Sequence, residues 1–334
     1  MKQEKREIRK YILNIIFTGL GFAIAIIVNL LFPQISKNVN FTKYSVGPLN
    51  LDGNRLLRIV LFALIIGYAL FGITAYKHET KRADYISKAG FRFAMGILIG
   101  VLDITGTKLK ILPQPFFPGP AEILNPFLEE GDFILTNTLY SLRLYFFGFL
   151  FGVLLGVGTG ILIGWFDRVY YWVYPVLKIT GVIPAVAWMP FALTLFPTPF
   201  ISAVFLIVIC AWFPIASLTA AGIKSTPKAQ YEAAKILGGS ALYQLFHVAI
   251  PHAMPQIFTG ISTANAFAFT TLVMAEMLGQ PGGLGYYINL SKVWSAYYKV
   301  FAAIVIMAVL FSAILKLINR LQDYVLRWQR GIVK

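Results

Sequence analysis

Residues 134–165 read ILTNTLYSLRLYFFGFLFGVLLGVGTGILIGW, and this stretch decides the fold class. Its only charged side chain is that of Arg143. A helix needs about 20 apolar residues to cross the hydrocarbon core of a bilayer. The run therefore predicts a membrane-spanning helix. Because it is long for one crossing, we expect its first residues to form an interfacial segment outside the bilayer.

The composition of the whole chain agrees with this interpretation. The 334 residues are 58% hydrophobic and only 13% charged, and the mean hydropathy is +0.71. Soluble domains contain about twice that fraction of charge, so an ordinary soluble enzyme is excluded. The aromatic content of 15% excludes a disordered chain. The single cysteine, Cys210, lies in an apolar run and is expected to be a buried, inert thiol.

The apolar runs predict an all-α polytopic membrane protein with about eight transmembrane helices. The first run is long and has no small-residue cleavage site, so we expect a permanent span and not a signal peptide. The eight expected spans are residues 11–32, 56–76, 91–112, 134–165, 170–196, 200–223, 255–278 and 299–325.

The positive charges favour an orientation with both termini in the cytoplasm. In that orientation, 20 of the 29 Lys and Arg residues lie in cytoplasmic segments, together with 7 of the 14 acidic residues. Such an excess of positive charge is typical of cytoplasmic loops. The Lys and Arg residues form short clusters between apolar runs and do not lie together on one polar face, which argues against nucleic acid as a partner.

Residues 225–251, STPKAQYEAAKILGGSALYQLFHVAIP, are unlike the other loops. Thr226 is a plausible N-cap with Pro227 at the first helical position. Gly238 and Gly239 are expected to end this helix, and Ser240 to cap a second one that Pro251 closes. The small Ala233 and Ala234 leave a low surface beside Glu232. The pattern predicts a cytoplasmic helix–turn–helix on which another protein docks.

This loop resembles the EAA loop of permease subunits of bacterial ABC importers. The resemblance extends to four further segments. They are LPQPFFPGPAEIL (112–124), residues 141–164, YPVLKITGVIPAVAWMPFAL (174–193), and MAEM (274–277) followed by GGLGYYI (282–288). It covers about residues 91–330. It is strongest with the subfamily that imports nitrate, sulfonates, taurine, bicarbonate or thiamine precursors. Where many members have Trp-Phe-Gly after the third core span, this chain has Leu195-Phe196-Pro197.

The resemblance implies a six-helix, type I importer core at 91–330, preceded by a two-span extension at 1–90. It also implies a multi-pass protein of the bacterial inner membrane and a coupling role for the EAA loop. The implied partners are a second copy of the chain, two ATP-binding subunits that use ATP and Mg, and an extracytoplasmic solute-binding protein. The residues implied in contact with the ATP-binding subunit are Glu232, Ala233, Ala234, Gly238, Gly239, Ile250 and Pro251.

Four residues are candidates for the translocation path. Glu276 is a carboxylate at membrane depth, which is costly unless it faces protein or water. Arg143 has a guanidinium that suits an anion, although it could equally reach the outer interface. Trp188 and Met189 lie in a proline-rich span whose freed carbonyls need partners. For each residue, ordinary packing or hydrogen bonding is an open alternative.

The chain itself is not expected to be an enzyme. It has no GxxxxGK[ST] motif for a nucleotide, no cluster at metal-ligand spacing, and three histidines without shared spacing. We therefore expect no metal or cofactor bound by this chain. The expected cargo is a small anion, with a thiamine precursor or similar heterocycle as the alternative. A passive or ion-coupled channel is the alternative outside the family.

Overall fold

The computed structural model describes residues 2–34, 44–46 and 49–328. Their α-helices are α1 (Lys2–Leu31), α2 (Gly53–Ala75), α3 (Glu79–Ser87), α4 (Ala89–Leu102), α5 (Pro120–Leu124), α6 (Pro126–Glu129), α7 (Gly131–Trp165), α8 (Asp167–Val182), α9 (Ala185–Leu195), α10 (Pro199–Lys224), α11 (Lys228–Ile236), α12 (Ala241–Gln244), α13 (Ile250–Gly279), α14 (Leu284–Val293) and α15 (Tyr297–Val325). Two π-helical turns cover Asp103–Lys108 and Leu245–Ala249.

The strands in this part of the chain form one short hairpin. Strands β1 (Tyr44–Val46) and β2 (Leu49–Leu51) pair antiparallel, with Ser45 opposite Asn50. The hairpin lies in the segment between the first two predicted spans. Much of that segment, like residues 329–334 at the C-terminus, is outside the described residues.

Among the described residues, seven helices are long and apolar enough to cross a membrane, which confirms the all-α polytopic class. They are Ile8–Leu31, Gly53–Ala75, Glu79–Lys108, Gly131–Trp165, Pro199–Lys224, Ala241–Gly279 and Tyr297–Val325. The predicted span at 170–196 is not one straight helix. It is split into α8 and α9, which meet at an angle of 106°.

Pro184 explains this break. A proline has no N–H to donate and forces the residue before it out of the helical region. Ile183 accordingly has an extended backbone, with φ −78° and ψ 120°. In the part of the chain that the structure describes, the helices able to cross a membrane therefore number seven, or eight if the bent pair counts as one.

One compact unit consists of Met1–Phe133 and Ser291–Ala302. Within it, α1 packs against α2 and α4. The backbones of α1 and α4 touch, since a Cβ added at Gly96 would lie 2.4 Å from the carbonyl carbon of Gly21. Small residues allow this kind of close helix packing in membranes. The division of the chain at residue 90 depends on the family resemblance and stays a prediction.

A buried polar network joins the helices of this unit near Asn29. The Asn29 side-chain amide donates to Asp103 Oδ2 at 2.7 Å, and Arg58 donates to Asn29 Oδ1 at 3.2 Å. Lys108 donates to Asn54 Oδ1 at 3.0 Å. The buried charges of Lys108 and Asp103 thus each have a hydrogen-bond partner, although Asp103 is bound through Oδ2 alone and its buried Oδ1 has none among the described residues.

The second unit consists of Ile134–Leu290 and Ala303–Lys334. In it, α10 packs along α13, and α7 packs along α10 through a stripe of glycines. The stripe meets one α10 side chain per turn. The pairs are Gly148 with Ile207, Gly152 with Ala211, Gly156 with Ile215, Gly160 with Thr219 and Gly164 with Ile223. The spacing of four predicts this close packing, and the contacts confirm it.

Candidate functional site

Residues 225–251 are called the coupling loop below, after the role that their resemblance predicts. Its first helix begins one residue later than the sequence predicts. Pro227 is the N-cap of α11, with φ −61° and ψ 136°, and Lys228 is the first helical residue. The prediction of Thr226 as N-cap is wrong. A proline fits the N-cap here because its fixed φ is compatible with the extended backbone before the helix. The Gln230 N–H donates to the Pro227 carbonyl at 3.0 Å and closes the first turn.

The end of α11 is a Schellman motif built on the two glycines. The Gly239 N–H donates to the Ala234 carbonyl at 2.9 Å, and the Gly238 N–H donates to Lys235 at 3.0 Å. Gly238 has φ +79°, a left-handed conformation that glycine adopts without cost. At Gly239 the requirement is steric, since a Cβ there would lie 2.7 Å from the Ala234 oxygen.

The second helix of the loop does not stop at Pro251. The Ser240 hydroxyl accepts the Tyr243 N–H at 3.3 Å and starts α12, as predicted. A π-helical turn at Leu245–Ala249 then leads directly into α13. Pro251 lies in the first turn of α13, directly after the π-helical turn, and does not end the helix. The prediction that Pro251 closes the helix is therefore wrong: the loop is continuous with a span of 39 residues, Ala241–Gly279.

The base of the loop is packed against the ends of the spans. Leu245 and Ala249 share a buried cluster with Ile223 of α10 and with Ala253 and Ile257 of α13, and Ile250 packs against it. Tyr231 makes an edge-to-face contact with Trp165 at the end of α7. A displacement of the loop would therefore move α10 and α13 with it.

The tip of the loop, in contrast, exposes apolar side chains. Ile236 is 86% and Leu237 is 87% exposed, and Leu242 and Phe246 are also exposed. Glu232 and Ala233 lie on the exposed surface of α11, whereas Ala234 is buried beneath the turn. A contiguous apolar patch with a polar edge marks a protein-interaction surface.

A groove of about 580 Å³ lies beside this patch. It is bounded by Leu237, the two glycines, Tyr243 and His247. The Tyr243 and His247 rings stack with centroids 4.3 Å apart. His247 and His252 are exposed.

Glu276 belongs to a buried cap at the other end of α13. Its Oε2 accepts the Gly285 N–H at 2.8 Å, while Asn137 Oδ1 accepts Gly283 N–H at 2.9 Å and Ser141 Oγ accepts Leu284 N–H at 2.8 Å. Three side-chain oxygens thus bind three successive N–H groups at the start of α14. The carboxylate is 1% exposed. A negative group at a helix N-terminus is stabilised by the helix dipole.

The other three path candidates lie apart from this cap. The Arg143 side chain is exposed, with its guanidinium 5.0 Å from the centre of the Phe200 ring. Met189 is buried among Leu206, Leu272 and other apolar residues, and Trp188 packs against the same cluster. The contacts of Met189 are those of an ordinary core residue, whereas the buried Nε1 of Trp188 has no hydrogen-bond partner among the described residues.

A cavity of about 580 Å³ lies between the α8–α9 break, α10 and α13. Its wall includes Thr180, Pro184, Cys210, Pro214 and Ser217. Among the residues that the structure describes, no acid, lysine, arginine or histidine lines it. Glu276, Arg143, Trp188 and Met189 are not in the wall. Cys210, expected to be buried, is in fact partly exposed on this cavity.

Sequence reasoning missed several of these residues. Asn137 and Ser141 fall within an apolar run where nothing marks them as caps for a turn more than 140 positions away. Tyr145 donates to Asn265 Oδ1 at 2.5 Å, which joins α7 to α13. A buried asparagine inside an apolar run was the available signal, because such a group needs a hydrogen-bond partner.

Comparisons with known proteins agree with this architecture. Residues 148–331 match the family described as binding-protein-dependent transport system inner membrane component. A Bacillus subtilis permease assigned to aliphatic sulfonate transport is 30% identical over 240 residues, covering 70% of this chain and 86% of that protein. The taurine transport permease of Escherichia coli is 27% identical over 226 residues, covering 65% of this chain and 82% of that one.

Solved structures show the same fold. A structure of the MetNI methionine ABC transporter in an inward-facing conformation matches with a TM-score of 0.51 and 19% identity, covering 59% of this chain and 98% of the matched chain. A polytopic helical fold with this family match is that of a permease subunit of an ABC importer. The chain belongs to the family of binding-protein-dependent transport system inner membrane components. It is a multi-pass protein of the inner membrane.

Proposed function

We propose that this chain is the permease subunit of an ATP-driven importer and that the coupling loop docks on a separate ATP-binding subunit. The observation that carries this proposal is the loop itself. Its tip exposes Ile236 and Leu237, while its base continues into α13 without a break. A rigid element with an exposed apolar tip is suited to transmit the movement of a partner to the spans.

The assembly proposed is that of the family. Two copies of the chain form the path, two ATP-binding subunits bind and hydrolyse ATP with Mg, and an extracytoplasmic solute-binding protein delivers the cargo. Both termini and the coupling loop face the cytoplasm. The excess of Lys and Arg in the segments assigned to that side supports this orientation.

The proposed translocation path includes the cavity between α8, α9, α10 and α13, and each of the two copies contributes one such cavity. Its walls include the break at Pro184, and discontinuous helices at membrane depth are tolerated where they line a cavity. Glu276 takes a positioning role in the cap of α14, and Trp188 and Met189 support the wall from behind. Arg143 is the remaining candidate for contact with an anion, near the outer end of α7.

The proposed cargo is a small anion. The names of the relatives support this choice, since they refer to aliphatic sulfonates, bicarbonate, nitrate and taurine. A vitamin-like heterocycle is the alternative within the same importer class.

A pull-down of the chain through a C-terminal tag tests the docking proposal. In gently solubilised native membranes, an ATPase subunit should co-purify in equal copy number with the wild type. Glu232→Arg should lose both the subunit and the ATPase activity. Glu79→Arg is the matched control, because it reverses an exposed charge on α3, which is assigned to the same side of the membrane.

The outcomes separate the alternatives. Loss of the subunit in Glu232→Arg but not in Glu79→Arg supports docking at the loop. Equal loss in both variants would indicate a general charge effect. Absence of any ATPase from an intact wild-type preparation would overturn the importer and favour a passive or ion-coupled channel.

A further inference from the structure

The first compact unit has three stacked tyrosines at the end where α1 begins and α2 ends. The Tyr11 ring of α1 lies 5.3 Å from the ring of Tyr76, which follows α2, and 5.8 Å from the ring of Tyr85 in α3. The Tyr11 hydroxyl donates to the Gly72 carbonyl at 2.6 Å, and the Tyr85 hydroxyl donates to the Tyr68 carbonyl at 3.1 Å. These three residues are called the tyrosine cluster below. Two of its rings are thus anchored to the backbone of α2.

Two arginines lie over rings of the tyrosine cluster. The guanidinium carbon of Arg92 is 4.4 Å from the centre of the Tyr85 ring, and that of Arg82 is 5.8 Å from the centre of the Tyr76 ring. Arg92 is buried and donates to the Tyr85 carbonyl at 3.0 Å, whereas Arg82 is half-buried. The face of an aromatic ring attracts a cation, so the cluster fixes the positions of two positive charges. Within the described ranges, neither arginine forms an ion pair with a carboxylate.

The same end of the unit has an excess of positive charge. Residues 77–92 contain five Lys and Arg residues and two acidic residues. One of the acids, Asp84, already pairs with Lys88 at 2.6 Å. Further cations on this end are exposed, namely Arg9, Lys10, Lys77 and Lys81. Anions from outside this segment must therefore balance most of its charge.

Exposed apolar side chains lie close to these cations in the chain. Phe91 directly precedes Arg92, Ile86 lies on α3 between Arg82 and Lys88, and Ile73 lies at the end of the span Gly53–Ala75. A surface at the end of a span that mixes cations with exposed apolar side chains is typical of a membrane interface. There the apolar groups enter the acyl boundary and the Lys and Arg side chains reach the headgroups. This mixture favours a lipid surface over a soluble protein as the source of the anions.

We infer that this end of the first compact unit binds the phosphate groups of anionic phospholipids, with Arg82 as the direct ligand. A guanidinium can donate two parallel hydrogen bonds to a phosphate, and a ring beneath it holds the fork in place. Arg92, behind the tyrosine cluster, adds a fixed positive charge. The first spans thus acquire a function of their own, the recognition of lipid charge. Which leaflet supplies the lipid rests on the proposed function, through its orientation of the chain.

A lipid titration of the full chain tests this inference. Native mass spectrometry in a neutral detergent measures the Kd of the first phosphatidylglycerol bound, with phosphatidylcholine as the zwitterionic reference. The wild type should bind phosphatidylglycerol more tightly. Arg82→Gln should weaken this binding by about fivefold, the factor that corresponds to one basic residue at an anionic membrane surface. Lys81→Gln, at an exposed position that contributes nothing to the core, should weaken it in the same direction.

Arg168→Gln is the matched control. It removes the same charge from an exposed arginine of α8, outside the first compact unit, and should leave the Kd near that of the wild type. Equal weakening in Arg82→Gln and Arg168→Gln would show a general charge effect and overturn the site. Displacement of the lipid by inorganic phosphate would show that the site takes free phosphate, which also overturns a lipid site. Loss of a co-purifying ATPase subunit in Arg82→Gln, with unchanged lipid binding, would assign the surface to a protein partner instead.

The orientation is tested separately from lipid binding. Lys81→Cys in a Cys210→Ala chain provides a single thiol on α3, and an impermeant maleimide is added to right-side-out or inverted vesicles. Labelling in inverted vesicles alone supports a site in the cytoplasmic leaflet. Labelling in right-side-out vesicles alone would overturn the orientation in the proposed function. The detergent titration has no sidedness, so its result decides the lipid site in either case.

Discussion

The Oε2 atom of Glu276 accepts a hydrogen bond from the Gly285 N–H at 2.8 Å, so a carboxylate of α13 holds the first turn of α14. Asn137 and Ser141 of α7 bind the two preceding N–H groups. A Cβ at Gly283, where φ is +112°, would lie 2.4 Å from this carboxylate. The turn between α13 and α14 is therefore locked to both long helices at its first three amides.

This geometry predicts different results for two substitutions of Glu276. Glu276→Gln keeps an oxygen that can accept the Gly285 N–H, so uptake and thermal stability should stay close to those of the wild type. Glu276→Ala leaves a buried N–H without a partner, which costs about 1–3 kcal/mol, and should lower the unfolding temperature. Thermal unfolding of the purified chain and uptake in cells are the measurements. A Glu276→Gln protein that folds normally but does not transport would instead assign a function to the charge.

The glycine stripe of α7 was readable from the sequence because its cause is local. Five glycines spaced by four residues lie on one face of a helix whatever surrounds it. Only the partner was unknown, and it proved to be α10. The turn of the coupling loop was predictable for the same reason, since Ser240 and the Gly238–Gly239 pair act within a few positions of each other, whereas Thr226 is not the N-cap and Pro251 does not end the helix.

A matched pair of substitutions tests this packing. A Cβ at Gly156 would lie 2.7 Å from the Cβ of Ile215, whereas a Cβ at Gly158 meets nothing within 4 Å. Gly156→Ala should therefore destabilise the chain by about 1–3 kcal/mol through overpacking. Gly158→Ala should be neutral or stabilising, since alanine favours a helix by about 1 kcal/mol over glycine. Thermal unfolding in detergent compares the two, and equal effects would contradict the packing of this face on α10.

Other features could not be predicted because they depend on distant partners or on a shift of helical register. The sequence predicts a helix end at Pro251, but the helix continues from the π-helical turn through this proline into α13. The roles of Asn137 and Ser141 depend on a segment that returns after two intervening spans. Pro184 explains the break between α8 and α9, but nothing local to it specifies the angle of 106° or the packing of both helices on α10.

The left-handed conformation of Gly238 makes the turn of the coupling loop sensitive to a side chain. Gly238→Asn should retain the turn, because asparagine adopts this conformation readily. Gly238→Val should lose it at a cost of about 1–2 kcal/mol, although a Cβ there has open space. Co-purification with the ATPase subunit should therefore persist in the first variant and fall in the second. Equal binding by the two variants would show that docking does not need this turn.

The carboxyl of Glu122, on α5 outside the spans, predicts a dependence of stability on pH. Burial raises its pKa above the ordinary value of 4.5, and the Lys110 ammonium, whose Nζ lies 3.4 Å from the carboxylate, opposes this only in part. The folded protein thus favours the protonated form. The stabilisation from this group is fully present below pH 4.5 and is lost as the pH rises through the higher folded value.

The variant Glu122→Gln isolates this contribution, because glutamine has nearly the same shape and stays neutral. At neutral pH the wild type bears the cost of a buried charge, which the variant does not. The stability of the wild type relative to the variant should therefore increase as the pH is lowered toward 4.5, since both side chains are then neutral. Unfolding temperatures of the two proteins, measured in parallel over this range, provide the comparison. Parallel curves would mean that Glu122 ionises in the folded protein as it does in the unfolded chain, and that Lys110 compensates its burial in full.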